Sequence, residues 1–484
     1  MERHLRSAAL IALVAAFFGF FAVKEWDIDF WWHIASGKNI VATHSLPDHD
    51  PFSVYESTDA RSITILKCYW VGQIIFYLIV KTFGINGIIL FRAFLLAFCL
   101  LIVYRRSSSL GVDSFPAFLM TALAGMTAFG FTGDRPQLFS FLFVSVVFLL
   151  LDRHNVRGGR RFLFMVPVAM FVWANVHGGV VMGSFLLVVY SAGYLVEHAM
   201  KKTPDGGKEQ MLFSAVMGIS IVVTLFSQSG INTYLTVVQL EGTEFQKRLS
   251  EYMSPYAVWR QLGSTVPLYY FGALLLAVPA CWSLVKRKEI AMTAVILSLA
   301  AVSATAYRYI PFFLFVAGPY IASGLNSSLQ NLRIPKKAFY GLIASAAVIA
   351  LTWGIYEGRA FQRGIDETRF PVGAVRWLQQ QGVQGKMFTS FEWGGYLLWN
   401  VYPQVRVFID GRGIDADKFT QYTHILWMTD EGKVFFDAAH FDFVMIPREN
   451  KITHEPYPLN QYLLVNPQWR VLYEDAQGYL FGRK

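Results

Sequence analysis

The sequence predicts a polytopic α-helical membrane protein that carries a small α/β domain at its C-terminal end. Three observations lead there. The 484 residues are 54% hydrophobic and only 15% charged, where a soluble domain carries about 25%. The apolar excess is gathered into repeated runs, each near the ~20 residues that cross a hydrocarbon core. After Glu357 the runs stop, and short strand-like and helix-like stretches alternate in ordinary soluble-type sequence.

The apolar runs fall at roughly 7–23, 85–104, 115–131, 137–152, 162–176, 180–197, 211–228, 265–285, 289–306, 309–325 and 338–356, about eleven transmembrane helices. The first follows Arg3 and Arg6. It reads as an uncleaved helix rather than a signal peptide, because further spans follow. The basic residues sit in alternate loops: Arg105-Arg106, Arg153 to Arg161, Lys201-Lys202, Lys286 to Lys288 and Lys336-Lys337. The positive-inside rule puts these loops and the N-terminus in the cytoplasm of a multi-pass protein of the cell's inner or plasma membrane. An odd helix count then places the C-terminal segment outside. The same rule accounts for the net charge of +9 without a nucleic-acid partner. Cys68, Cys99 and Cys281 form no CxxC pair, so neither a disulfide framework nor a cysteine metal site is indicated.

The stretch Tyr69 to Phe83 is apolar, yet Gln73, Tyr77 and Lys81 recur at i, i+4, i+8 as a polar stripe. It is expected to lie as an interfacial helix on the outer surface rather than to span. The predicted division is a membrane domain over 1–356, including a first outer loop at 24–84, and an extracytoplasmic α/β domain over 357–484. Strands are expected at 386–390, 405–410, 441–446, 469–474 and 479–483, with a helix opening at Pro371.

In this topology the unusual polar residues converge on one membrane face. Asp27 and Asp29 follow the first run in DIDFWWHIASGK, with Trp31, Trp32 and His33. Asp134-Arg135, His177 in WANVHGG and Arg308 lie at outer helix ends, and the outer loop 229–263 brings Glu241, Glu244, Lys247, Arg248 and Glu251. Each has an ordinary reading taken singly: a helix-end acid, an aromatic-belt residue, a snorkelling arginine. Ionisable groups gathered at such depths are costly and mark a site. Transfer of a sugar from a lipid phosphate would use a carboxylate, Asp27 or Asp29, to accept or orient the acceptor's hydroxyl proton. It would use cations or donors on the leaving phosphate, for which Arg135, His177 and Arg308 are candidates. His33, Trp31, Trp32, Asp134 and Glu251 are candidates for substrate contact. No phosphate-cradling glycine loop is present, so a nucleotide donor is not indicated.

The arrangement resembles the GT-C fold of integral-membrane glycosyltransferases. Asp29-Phe30-Trp31-Trp32-His33 is similar to the Asp-x-aromatic-aromatic-His pattern in the first outer loop of oligosaccharyltransferase catalytic subunits, and the resemblance places a catalytic acid on Asp29. Together with LPDHDPFS, RPQLFSF, WANVHGG, FEWGGYLLW and FIDGR, the phrase resembles a largely uncharacterised bacterial GT-C-like group over nearly the whole chain. The chain departs from oligosaccharyltransferases in three places. The Trp-Trp-Asp-Tyr-Gly acceptor motif is missing, Ala35 stands where an arginine is expected, and Asp134-Arg135 stands where a second Asp-x-Asp would be. A divalent metal is therefore left open. The implied partners are the lipid bilayer, a polyprenyl-phosphate sugar donor, and a glycan, lipid or protein acceptor. Glu392, Asp410 and Arg412 are expected at the cavity, helping to select that acceptor; a salt bridge at the sheet edge is the competing reading. A transporter or flippase for lipid-linked saccharides, or an assembly protein without catalysis, is the alternative function. Paired repeats, which transporters often show, are not found.

Overall fold

The computed structural model describes residues 1–54, 60–201, 206–240, 249–329, 335–412, 416–450 and 453–484. Glu241, Glu244, Lys247, Arg248 and Lys202 lie outside them. Helix α1 (Glu2–Phe21) is followed by α2 (Phe30–Thr43), α3 (Ala60–Lys67), the long α4 (Trp70–Ser109), α5 (Ser114–Ala128), α6 (Gln137–Arg157), α7 (Arg160–Val176) and α8 (Val180–Lys201). Among the described residues nine helices are long and apolar enough to cross a membrane, and the chain is a multi-pass membrane protein. The two remaining runs expected to span fold as shorter helices, α7 with 17 residues and Ile290–Thr305 with 16.

The bundle is arranged around Tyr307–Asn326, whose apolar window is 89% buried, while that of Lys336–Tyr356 is only 17% buried. The latter turns Leu342, Val348, Ile349 and Trp353 outward. On such a helix exposed apolar side chains meet lipid tails, which are as apolar as they are.

Helix α4 is broken at Gly84, where φ is 68° and ψ −169°. Only glycine enters that region without a Cβ clash. The break separates 70–83 from the span behind it. The polar stripe on this first segment does not face water as expected. Gln73 is fully buried, its amide nitrogen 3.4 Å from His33 Nδ1 on α2, and of the three stripe residues Lys81 is the exposed one. Arg106 likewise departs from its expected place in a cytoplasmic loop. It is buried, with Nε 2.6 Å from Asp152 Oδ2 and Nη1 2.8 Å from the Phe315 carbonyl, and Tyr320 donates to Asp152 Oδ1 at 2.6 Å. A charge withdrawn from water persists only when paired in this way.

The segment after Glu357 forms a five-stranded sheet: β1 (Gly385–Thr389), β2 (Val405–Val407), β3 (Phe443–Pro447), β4 (Trp469–Glu474) and β5 (Gly478–Arg483), in the order β2-β1-β3-β5-β4. β1 pairs parallel to β2 and β3, and β5 pairs antiparallel to β3 and β4. All five expected strands are present. The 405–410 strand is shorter than expected, because after Val407 the chain turns toward the first loop.

This sheet is fastened to the first loop. Ser53 bridges Val407, and Val54 N–H donates to the Val407 carbonyl at 3.0 Å. The helix Phe391–Val401 packs on the chain after β2 through Gly394 and on the start of α2 through Gly395. A Cβ on Gly394 would come within 2.1 Å of the Ile409 carbonyl oxygen, and one on Gly395 within 3.0 Å of the Ile28 carbonyl. Arg412 completes the join. It binds Asp50 at 2.7 and 3.1 Å and Asp410 at 2.7 and 2.5 Å, with all three side chains buried. Replacing Arg412 with methionine leaves two buried carboxylates without a counter-charge, a loss of about 3–5 kcal/mol. Thermal unfolding of the purified variant in detergent is expected to show a clearly lowered Tm. An unchanged Tm would show that the pairing holds nothing together.

Candidate functional site

The chain leaves α1 and passes through Glu25, Asp27 and Asp29 before α2 begins. Each acid is oriented by a donor further along. Asp27 N–H donates to Glu25 Oε1 at 2.8 Å, Asp29 N–H to Asp27 Oδ1 at 2.9 Å, and the Trp32 indole N–H to Asp29 Oδ1 at 3.2 Å. Acids two residues apart thus form successive side-chain-to-backbone turns, a local habit of short polar side chains.

Two arginine-centred layers receive these acids. In the inner layer Arg92, from α4, lies 2.7 Å from Asp134 and 3.6 Å from Glu25, and also donates to the Phe21 and Val23 carbonyls. All three side chains are fully buried. Burial and the Asp134 charge push the Glu25 carboxyl well above its usual range, and burial raises Asp134 as well. Glu25 Oε2 and Asp134 Oδ1 have no other hydrogen-bond partner.

The outer layer is built on Arg135. Its Nε lies 2.6 Å from Asp27 Oδ2, and its Nη1 lies 3.0 Å from Asp29 Oδ2 and 3.1 Å from Glu251 Oε2. Glu251 turns its other oxygen to Arg308 Nη1 at 3.1 Å. Asp27 is sealed, with 1% of its side chain exposed, whereas Asp29 is 17% exposed. Burial pushes the Asp29 carboxyl up to about 7; Arg135 opposes the rise, and the Asp27 and Glu251 charges add to it. Burial acts in the same sense on Glu251, but Arg308 and Arg135 outweigh it and hold that carboxyl below its ordinary value.

Beside these layers stands a row of aromatic rings. Trp32 and His33 are 3.6 Å apart between centroids, His33 and Tyr69 5.4 Å, Tyr69 and His177 5.2 Å. His177 Nδ1 accepts the Gly179 N–H at 2.9 Å and lies 2.6 Å from Ser140 Oγ, which itself accepts the Trp173 indole N–H at 2.8 Å. An Nδ1 that accepts carries no proton, so the neutral ring presents Nε2–H. Burial, with the Arg308 charge, lowers the His177 pKa to about 3 and keeps it in that form.

The structure brings together Asp27, Asp29, Arg135, Glu251 and Arg308 in one hydrogen-bonded group, with Trp32, His33 and His177 alongside. Several expected contacts lie elsewhere. Arg135 is engaged by three carboxylates rather than standing open to an anion. Asp134 is sealed behind it with Arg92. Trp31 is buried among Phe30, Phe370 and Tyr396 at 5.0, 5.3 and 4.7 Å and is a packing residue rather than a sugar platform. Arg412 is committed to Asp50 and Asp410, not to a cavity, and Glu392 is exposed on the first turn of its helix. The outer segment still touches the site, because Gly411 lies against Asp29: a Cβ there would come within 2.5 Å of Oδ1. Glu25 and Arg92 escaped the sequence reading. Their signals were an acid two residues before Asp27 and an arginine inside an apolar run.

No protein-family profile and no curated protein sequence matches the chain. Solved structures do. The archaeal oligosaccharyltransferase AglB from Archaeoglobus fulgidus, in complex with an inhibitory peptide and a dolichol-phosphate, superposes with a TM-score of 0.63 at 11% identity, over 92% of this chain and 70% of its own. The same enzyme in complex with Zn and sulfate gives 0.58 at 13%, over 91% and 68%. The arabinofuranosyltransferase AftD from Mycobacteria gives 0.58 at 11%, over 100% of this chain and 41% of its own. The chain has the GT-C fold that these proteins share. Among the described residues no three or more His, Cys, Asp or Glu side chains are grouped to hold a metal ion.

A carboxyl whose pKa rises on folding weakens the fold at any pH above its unfolded value of ~3.9, and the full penalty is reached above the folded value. For Asp29 that window runs from about 4 to about 7. Asp29→Asn is therefore expected to raise Tm at about pH 8, with the gain fading toward about pH 4. Thermal unfolding across that range checks it, and a gain that is constant with pH would show that Asp29 titrates normally.

Proposed function

We propose that the chain is a glycosyltransferase that moves a sugar from a polyprenyl-phosphate carrier to a glycan, lipid or protein acceptor at the extracytoplasmic membrane face. The observation that carries the reading is Asp29: a partly open carboxylate with a pKa near neutrality, set within a GT-C fold beside cations and neutral donors. A general base works best when its pKa lies near the working pH.

In this reading the acceptor hydroxyl gives its proton to Asp29 as its oxygen bonds to the sugar's anomeric carbon. The bond from that carbon to the carrier's phosphate oxygen breaks, and polyprenyl phosphate leaves with the electron pair. Arg308 spends one guanidinium nitrogen on Glu251, and with the Nε2–H of His177 it holds the phosphate as its charge grows. Asp27 and Arg135 fix the position of Asp29 rather than meet the substrate. The dolichol-phosphate bound by AglB supports a lipid-phosphate carrier for a chain of this fold. Which acceptor is used depends on a surface that the Asp29 geometry does not specify.

The test is transfer of label from a panel of polyprenyl-phosphate sugars into membrane extracts. Wild type is expected to transfer one of them, and Asp29→Asn none while still folding. Arg308→Ala and His177→Ala are expected to raise the donor KM by about tenfold or more, the loss of one charge-assisted or neutral hydrogen bond to phosphate. Purified protein that binds a lipid-linked saccharide but transfers none of the panel would overturn the reading in favour of a transporter.

A further inference from the structure

A divalent cation in a site of this kind needs several carboxylate oxygens converging on one point, at about 2.0–2.6 Å. Here Asp27 Oδ2 lies 2.6 Å from Arg135 Nε, and Asp29 Oδ2 and Glu251 Oε2 lie 3.0 and 3.1 Å from its Nη1, so the three oxygens gather around one guanidinium. Their remaining oxygens are also engaged: Asp27 Oδ1 by the Asp29 backbone, Asp29 Oδ1 by Trp32, and Glu251 Oε1 by Arg308. The donor set therefore does not fit a metal while Arg135 is in place.

We infer that Arg135 is the resident cation of this centre, its guanidinium occupying the position from which a divalent metal would otherwise bridge Asp27, Asp29 and Glu251. Three properties of the group support the assignment. A guanidinium keeps its charge at every pH that a protein survives. Its planar fork bonds several carboxylates at once, as a lysine ammonium could not do with the same geometry. It is also part of the chain, so the centre does not depend on acquiring an ion. With Arg308 it sets two positive charges against the three carboxylates. Asp134 is drawn inward to Arg92, 2.7 Å away, and contributes nothing to the outer layer.

The catalytic consequence rests on the transferase reading above: transfer should survive chelation. The assignment itself is tested without substrate, so its failure is distinguishable from failure of that reading. Purified full-length protein in detergent is titrated with Mn2+, and the bound ion is followed by electron paramagnetic resonance. Wild type is expected to show no site-bound Mn2+. Arg135→Ala removes the competing charge and frees three oxygens, and it is expected to bind one Mn2+ at least about tenfold more tightly than wild type. Adding Glu251→Gln should abolish that gain. Arg135→Met, which keeps more of the side-chain packing, serves as the second variant if the alanine protein does not fold. One Mn2+ bound by wild type and lost in Asp27→Asn would overturn the inference, since Arg135 would then yield its place to a metal. A folded Arg135 variant that gains no binding would overturn it as well, since the three carboxylates would then not make a cation site.

Discussion

The fold at this site depends on five carboxylates being kept beneath the surface by three arginines. Glu25, Asp27, Asp29, Asp134 and Glu251 come from three separate stretches of chain, and Arg92, Arg135 and Arg308 tie those stretches together. Arg92 meets two acids, Arg135 three and Arg308 one, with Glu251 joining Arg135 to Arg308. Removing such charges from water costs several kcal/mol each unless the partner geometry is good. The ends of α1, α5 and the Tyr307–Asn326 helix must therefore lie where they do for the charges to be tolerable. The same constraint turns the loop 22–29 into a chain of side-chain turns, since every carboxylate oxygen not facing an arginine needs a donor.

The site is also held from outside. The helix Phe391–Val401 approaches the chain after β2 at Gly394 and the start of α2 at Gly395 so closely that neither position has room for a side chain, and Gly411 stands directly over Asp29. Arg412 clamps the first loop to the turn after β2 through Asp50. The sheet thus does not hang from the membrane part as a separate module. It forms a wall of the Asp29 environment, with Gly411 lying against the carboxyl. A shift at the clamp would move a catalytic wall without touching a charged residue of the site.

Much of this was legible in the sequence, for physical reasons. Apolar runs of spanning length and five short strand patterns are local signals, and they placed the helices and strands. The clustering of Asp27, Asp29, Arg135, His177, Glu251 and Arg308 was readable because ionisable groups at helix ends are expensive and rarely accidental. What stayed hidden was the pairing. Nothing local separates Asp134, which is sealed by an arginine 42 residues away, from Asp29, which is partly open. Trp31 and Trp32 are neighbours of the same type, yet helical geometry points one into the Phe370–Tyr396 packing and the other at a carboxylate. Arg412 looked like a cavity residue because its partner Asp50 lies 362 positions away. Long-range partnership decides whether a polar residue serves packing or chemistry, and spacing along the chain does not carry it.

The order in which the acids are sealed gives the site a direction. Glu25 and Asp134 lie at the closed end, fully buried against Arg92. Asp27 comes next, sealed and fully hydrogen-bonded. Asp29, Glu251, Arg135 and Arg308 follow, each with 17 to 27% of its side chain exposed. Charge deep in the stack is fixed, because its side chains are out of reach of solvent and held against Arg92. Charge at the open end is adjustable: Asp29 titrates near neutrality, and Arg308 holds one acid while its remaining N–H groups stay available. In the proposed transfer an incoming molecule meets the outer residues, and the proton it gives up passes to Asp29. The inner layer acts through them, by holding the loop that aims Asp29. A site built this way separates the groups that set the field from the group that moves the proton.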